Sequence, residues 1–237
     1  MHGCDIWWAR PVAPQRRPEL VDLLDEHERE RLGRFRRPAD RARYLAAHAL
    51  TRLVLGHRLG IAPAAVALDR TCRCGEQHGK PRLAAGDGPH FSLTHAGDVV
   101  GVAVHGVAPV GLDAEQLRPL GDLAGMARQA WSPTELARGG RVDTAAFLTV
   151  WTRKEALLKA SGDGLAAPMA GITLSRPDEP AAVREWAGPA APGGRWWVRD
   201  LRPPAPEHLA AVAGAGADPP VVTVTDGEPL LCRGGGG

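Results

Sequence analysis

Two stretches with helically spaced apolar residues, 19–60 and 144–161, are each followed by short apolar runs broken at glycine and proline. This alternation restricts the fold more than any other feature of the chain. In the first stretch Leu20, Leu23, Leu24 and Leu32, then Tyr44, Leu45, Ala49, Leu53 and Leu55, recur at helical intervals, which predicts two helices divided near Pro38. In the second, Phe147, Val150 and Leu158 form the apolar stripe of one helix. Behind the first lies "PHFSLTHAGDVVGVAVHG", a hairpin turning at Gly97 and Asp98, and then "VAPVGLDAEQL", a buried strand that ends in two acids. Between the two stretches, Ser132 followed by Pro133 and Glu135 is a helix start with its cap. Behind the second, "ITLSRP", "RWWVRDL", "HLAAVAGAG" and "PVVTVTD" are short strands. The class is α+β. A long helix with a small meander in each half hints at a duplication, with halves at 1–108 and 109–233 and a disordered tail at 234–237.

Composition removes several function classes. A chain of 237 residues with 44% hydrophobic content can bury a sizeable core. A charged fraction of 24% and a net charge of +2 do not fit a disordered chain or a strongly nucleic-acid-binding one. No window approaches the 18 or so apolar residues of a membrane span, and the start has no basic region leading into a long apolar run. A cytoplasmic protein is expected. The four cysteines are scattered and form no disulfide framework. Cys72, Cys74 and His78 offer three soft ligands close together, but the C-x-C spacing is not the usual zinc spacing and no fourth ligand is apparent. The segment reads mainly as a lead into Lys80.

Lysine stands at only three positions, Lys80, Lys154 and Lys159, while arginine carries positive charge everywhere else. Two of the three lie in "VWTRKEALLKASGDGL", where Trp151, Glu155 and Lys159 share a helix face with the apolar stripe. An exposed Glu155–Lys159 pair would tolerate arginine, so their retention points to a site that requires a compact ammonium. In "GLDAEQ", strand alternation puts Asp113 and Glu115 on one face, about 7 Å apart. Two such carboxylates repel unless they face water or share a cation, and hard oxygen ligands suit magnesium bound together with substrate phosphates. Lys80, Ser92, Thr94 and His95 add groups of the kind that read phosphate.

Taken together, "GKP", "FSLTHAGD", "VGLDAE", "WSPTELA" and "WTRKEALLKASGDGL" come in an order that resembles the 4'-phosphopantetheinyl transferases, in the subfamily similar to the surfactin synthetase activating enzyme. The likeness runs from about Glu26 to Gly171, and its core is a G-x-D-x-E followed by W-x-x-K-E-x-x-x-K. The resemblance implies transfer of the phosphopantetheine arm of coenzyme A to a serine of an apo acyl or peptidyl carrier protein, itself acidic, with release of adenosine 3',5'-bisphosphate. It also implies a pseudo-twofold monomer with the coenzyme in the cleft between halves, serving secondary-metabolite assembly. Asp113, Glu115 and Glu155 would hold magnesium, and Glu155 would activate the carrier serine. Glu135 matches a further acid near the site. Lys159 would meet charge on the leaving phosphate, with Lys154 on phosphate oxygens nearby. Ser92, Thr94 and His95 would sit by the 3'-phosphate and adenosine, with Lys80, Arg31 and Arg43 around the same end. One departure is Glu28, which stands where the surfactin enzyme type has a basic residue, so the grip on the 3'-phosphate would be redistributed among arginines. Two alternatives stay open: another magnesium-dependent nucleotide phosphohydrolase, and an arginine-rich zinc or nucleic-acid-binding module. Acids such as Glu26, Glu28 and Glu30 interrupt the arginines and count against the latter.

Overall fold

The computed structural model describes residues 3–72, 75–77, 79–139, 142–162, 167–189 and 191–233. Cys74, His78 and the 234–237 tail therefore lie outside the described residues. The chain opens with β1 (Cys4–Ala9), α1 (Glu19–Asp22), α2 (Glu26–Arg34) and α3 (Pro38–Leu59). The first helical stretch is thus interrupted twice. α1 stops at its C-cap Leu23, and Asp25 begins α2 through a reciprocal cap with Glu28, each side chain accepting from the other's backbone N–H. A two-residue pair follows, β2 (Leu68–Asp69) with β3 (Arg82–Leu83), and then the hairpin β4 (His90–Ala96) and β5 (Val99–His105). The second half runs through β6 (Val110–Gln116), α4 (Leu123–Ala130), α5 (Pro133–Ala137) and α6 (Thr144–Ser161). Beyond these lie β7 (Ile172–Leu174), β8 (Val183–Trp186), β9 (Trp196–Leu201), β10 (His208–Ala215), β11 (Val222–Asp226) and α7 (Glu228–Arg233).

The strands form two main sheets, ordered β11-β1-β5-β4 and β6-β10-β9. All their pairings are antiparallel except β1 with β11. That parallel pair joins Cys4 to Val222 and carries the C-terminal segment back onto the first sheet. There Leu231 of α7 enters the core beneath α3. α3 buries Leu45, Leu50 and Val54 with Val100, Val102 and Val104 of β5. α6 buries Phe147, Leu157 and Leu158 with Ala211 and Ala213 of β10. The opposite faces of the two sheets meet through Ile6, Trp8, Ala103, Leu112, Ala114 and Val212. Each sheet therefore has a helix outside and a shared apolar layer inside, a mixed α+β arrangement of small, mostly antiparallel sheets.

The edges of the two sheets, β4 and β6, run alongside each other without a backbone ladder between them. Side chains take its place. Leu112 N–H donates to Ser92 Oγ (3.0 Å) and Ala114 N–H to Thr94 Oγ1 (3.0 Å). On the same edge Lys80 Nζ donates to Val110 O (2.8 Å) and Lys159 Nζ to Leu112 O (3.1 Å). Buried backbone groups require partners, and here four side chains supply them while the sheets stay separate.

Candidate active site

The acid-bearing strand meets the lysine-bearing helix through a single glycine. A Cβ on Gly111 would stand 1.9 Å from Ala156 O and 2.5 Å from Ala160 N, so α6 lies directly against the backbone of β6. Alternation along β6 then puts Asp113 and Glu115 on the α6 side. Lys159 Nζ donates to Asp113 Oδ1 at 2.7 Å and so reaches across to the strand. Asp113 Oδ2 is buried with no hydrogen-bond partner. Burial pushes the Asp113 carboxyl up, outweighing the pull of Lys159. Glu115 is raised to about 7 by burial and then by the charge of Asp113. Glu155 is raised by the same two causes. Among the described residues no three His, Cys, Asp or Glu side chains are already drawn together as a metal cluster. An unpartnered buried oxygen on Asp113 and two neighbouring glutamates raised by its charge nonetheless fit a hard cation, which would supply the charge they lack.

Beside these acids opens a cavity of about 730 Å³. Its lining takes Arg31 from α2, Tyr44 and His48 from α3, Ser92 and His95 from β4, and Glu155 and Lys159 from α6, with Arg70 and Lys80 from the connecting segments. The cationic side chains outnumber the one carboxylate on this wall. Burial, then repulsion from Lys159, lowers Lys80 to about 8. His95 falls to about 4 through burial and then the nearby His48 and Lys159. His95 thus stands electrostatically between α3 and α6.

Several residues expected at the site stand elsewhere. Lys154 is fully buried and donates to Glu135 Oε2 (2.6 Å), Ala130 O (2.7 Å) and Met169 O (3.1 Å), away from the cavity. Glu135 also accepts from Ser132 N (2.7 Å) and Leu174 N (2.8 Å), so it closes a capping box and ties α5 to β7. The structure therefore brings neither to the acid cluster: Lys154 follows Arg153 and precedes Glu155 on α6, and one position rotates a helical side chain to a different face. The Ser92 and Thr94 oxygens accept from β6 amides, and Thr94 does not line the cavity. Arg43 donates to Gly97 O (3.1 Å) and Asp40 (2.5 Å) at the hairpin tip. Gly79 does permit a close approach, but to another loop: its N–H donates to Arg70 O at 2.7 Å and a Cβ would meet that oxygen at 2.9 Å.

The contacts made by Glu28 and Tyr44 do not follow from the sequence. Glu28 is fully buried, with His48 Nδ1 at 2.8 Å, Arg52 Nε at 2.7 Å and Arg70 Nη2 at 2.6 Å. Burial raises this carboxyl, but His48 and Arg52 outweigh it and hold it near 2. Tyr44 stacks on His48 with ring centroids 4.0 Å apart. Their i, i+4 spacing in "YLAAH" was the available signal.

Two family descriptions match separate stretches of the chain. Residues 109–213 match the model of the 4'-phosphopantetheinyl transferase superfamily, and residues 10–106 match that of the 4'-phosphopantetheinyl transferase N-terminal region. The 4'-phosphopantetheinyl transferase HetI of Nostoc sp. is 35% identical over 219 residues, covering 88% of this chain and 86% of its own. The chain belongs to the 4'-phosphopantetheinyl transferase superfamily. As a member it is also similar to a 4'-phosphopantetheinyl transferase of Bacillus subtilis, at 26% identity over 73% of this chain and 76% of that one. With the 4'-phosphopantetheinyl transferase Sfp of Bacillus subtilis it shares 23% identity, over 88% of this chain and 96% of that one. Among the described residues no helix of this superfamily member is long and apolar enough to cross a membrane.

Proposed function

We propose that this protein transfers the 4'-phosphopantetheine group of coenzyme A to a serine of an apo acyl or peptidyl carrier protein, with magnesium, and releases adenosine 3',5'-bisphosphate. The observation that carries this is Lys159, which with Glu155 lines the cationic cavity and donates to Asp113 behind it. Asp113, Glu115 and Glu155 would hold the magnesium, which when bound neutralises pyrophosphate oxygens and acts as a template. The serine Oγ forms its bond to the phosphorus carrying pantetheine as the bond from that phosphorus to the bridging oxygen breaks. The serine proton passes to the Glu155 carboxylate, directly or through a water. Lys159 Nζ stands where it can meet charge on the departing phosphate. Lys80, Arg31 and His95 hold the nucleotide end, with Ser92 beside them. The buried positions of Lys154 and Glu135 support roles in holding α5 and α6 rather than contacts with phosphate.

The finer reading is a monomeric, cytoplasmic enzyme of the subfamily similar to the surfactin synthetase activating enzyme, serving secondary-metabolite assembly and docking acidic carriers. Its halves, 1–108 and 109–233, are read as pseudo-twofold relatives with coenzyme A between them. The placement of α3 on one sheet and α6 on the other supports that relation. The test is incubation with coenzyme A, magnesium and a panel of apo carrier proteins, followed by intact mass. A gain of one phosphopantetheine on a carrier is the expected result. Release of adenosine 3',5'-bisphosphate with no carrier gaining mass would replace the proposal with a phosphohydrolase.

A further inference from the structure

A fully buried carboxylate needs a reason, because its desolvation is costly unless every lone pair is met. Glu28 Oε2 is met by Arg52, which is itself buried and also holds Val66 O (2.8 Å) and Asp25 Oδ2 (2.6 Å). That pairing would suffice to anchor α2 on α3. The second oxygen, Oε1, does something different: it takes both His48 Nδ1 (2.8 Å) and Arg70 Nη2 (2.6 Å), and both of those residues form the cavity wall. Asp25 Oδ2 holds the same Arg70 Nη2 from the other side at 3.0 Å. Tyr44 is stacked on the imidazole and fixes its plane. An ionised carboxylate only accepts, so Nδ1–H donates to Glu28; in the imidazolium Nε2–H is a second donor, the one left for a phosphate oxygen in the cavity. Arg31 completes the patch; its charge, with those of Arg70 and Glu28, acts on the Tyr44 hydroxyl.

We propose that Glu28 is a positioning carboxylate that presents His48 and Arg70 as a contact for a phosphomonoester at the nucleotide end of the cavity. The inference rests on the assignment of coenzyme A to this cavity, and for that ligand the phosphomonoester is the 3'-phosphate. The end is set by what surrounds it. Asp113, Glu115 and Glu155 gather beside Lys159, whereas His48 stands among Arg31, Arg70 and Tyr44, with His95 acted on by both groups. A pyrophosphate bridged by a divalent cation suits the acidic end. A terminal dianion suits the end with cations and no free carboxylate, since Asp25 and Glu28 are already engaged.

The test is calorimetric binding of adenosine 3',5'-bisphosphate and of adenosine 5'-monophosphate to the parent, His48→Gln and Glu28→Gln proteins, with melting temperatures alongside. His48→Gln should weaken the bisphosphate roughly tenfold or more, the loss of one charge-assisted hydrogen bond. The monophosphate should change little, and so should melting. Glu28→Gln should weaken the bisphosphate selectively as well, at a lower melting temperature because Arg52 and Arg70 lose their common acceptor. Equal weakening of both nucleotides in His48→Gln would reduce the residue to packing and overturn the proposal, as would no change in either. These outcomes are read without any carrier protein, so failure of the transfer reaction and failure of this contact are told apart.

Discussion

Replacing Lys154 by methionine distinguishes a structural lysine from a phosphate-binding one. The methionine nearly conserves volume in a site with no exposure, but it removes all three donors that hold Glu135, Ala130 O and Met169 O. Burial lowers Lys154 to about 8 despite the Glu135 charge, so the ammonium is held against its own desolvation. The pair is thus no surplus of stability, yet breaking it is worse than keeping it, because Glu135 then stays buried with only the Ser132 and Leu174 amides. Removing one partner of a buried pair costs about 3–5 kcal/mol. For a chain of this size that corresponds to a fall in Tm of roughly 6–20 °C. Urea unfolding and thermal melting at pH 7 measure the loss, and KM for coenzyme A is measured on the protein that remains folded. The expected result is a large stability loss with KM little changed. Unchanged melting together with a raised KM would place the ammonium on the ligand and refute the argument.

Three further perturbations bear on the acid cluster and its frame. Lys159→Arg should lower transfer roughly 10²-fold with little effect on melting, because a planar guanidinium cannot occupy the point between Asp113 and a departing phosphate; near-parental turnover would remove Lys159 from the chemistry. Glu115 has its folded pKa raised from 4.5 to about 7, so the stability it contributes is present at low pH and is lost as pH rises through that window. Magnesium should therefore raise Tm more at pH 8 than at pH 5, and equal shifts at the two values would count against a cation among these acids. Gly111→Ala forces α6 off β6, since the new methyl would meet Ala156 O at 1.9 Å; the expected cost is about 1–3 kcal/mol or more, with kcat reduced in the folded fraction. Parental kcat in that variant would show that close approach is unnecessary.

Local signals in the sequence carried further than distant ones. The helix expected over 144–161 is α6, and Ser132 with Glu135 forms the expected cap, because both depend on spacing within a few residues. The division between α1 and α2 was missed although Asp25 and Glu28 have capping-box spacing. The parallel pairing of β1 with β11 was not legible, since its partners lie more than two hundred residues apart and nothing in "CDIWWA" names one. Lysine scarcity marked three positions correctly as unusual but could not sort them. Two ammonium groups lie on the β6 edge and the third inside a core, and helix rotation by one residue decides which. The hydroxyls of Ser92 and Thr94 were legible as polar groups in a strand, but not as partners of amides in another sheet.

The seam between β4 and β6 offers a physical reason for lysine there. Had these edges formed a backbone ladder, the two sheets would fuse and the wall of the cavity would be closed. With hydroxyls accepting from Leu112 and Ala114 and ammonium groups donating to Val110 and Leu112, the edges are satisfied at intervals instead. An ammonium has three donors in no fixed plane. Lys80 at Val110 O and Lys159 at Leu112 O and Asp113 therefore retain a donor direction for a phosphate oxygen without leaving the strand. A guanidinium has more donors, but they lie in one rigid plane, and a plane that matches the strand edge does not also turn toward the cavity. The same two residues can then seal the strand and hold the ligand, which ties stability of the seam to occupancy of the site. On that argument coenzyme A should protect the β6 amides from hydrogen exchange more than those of β9, which lies on the far side of the same sheet.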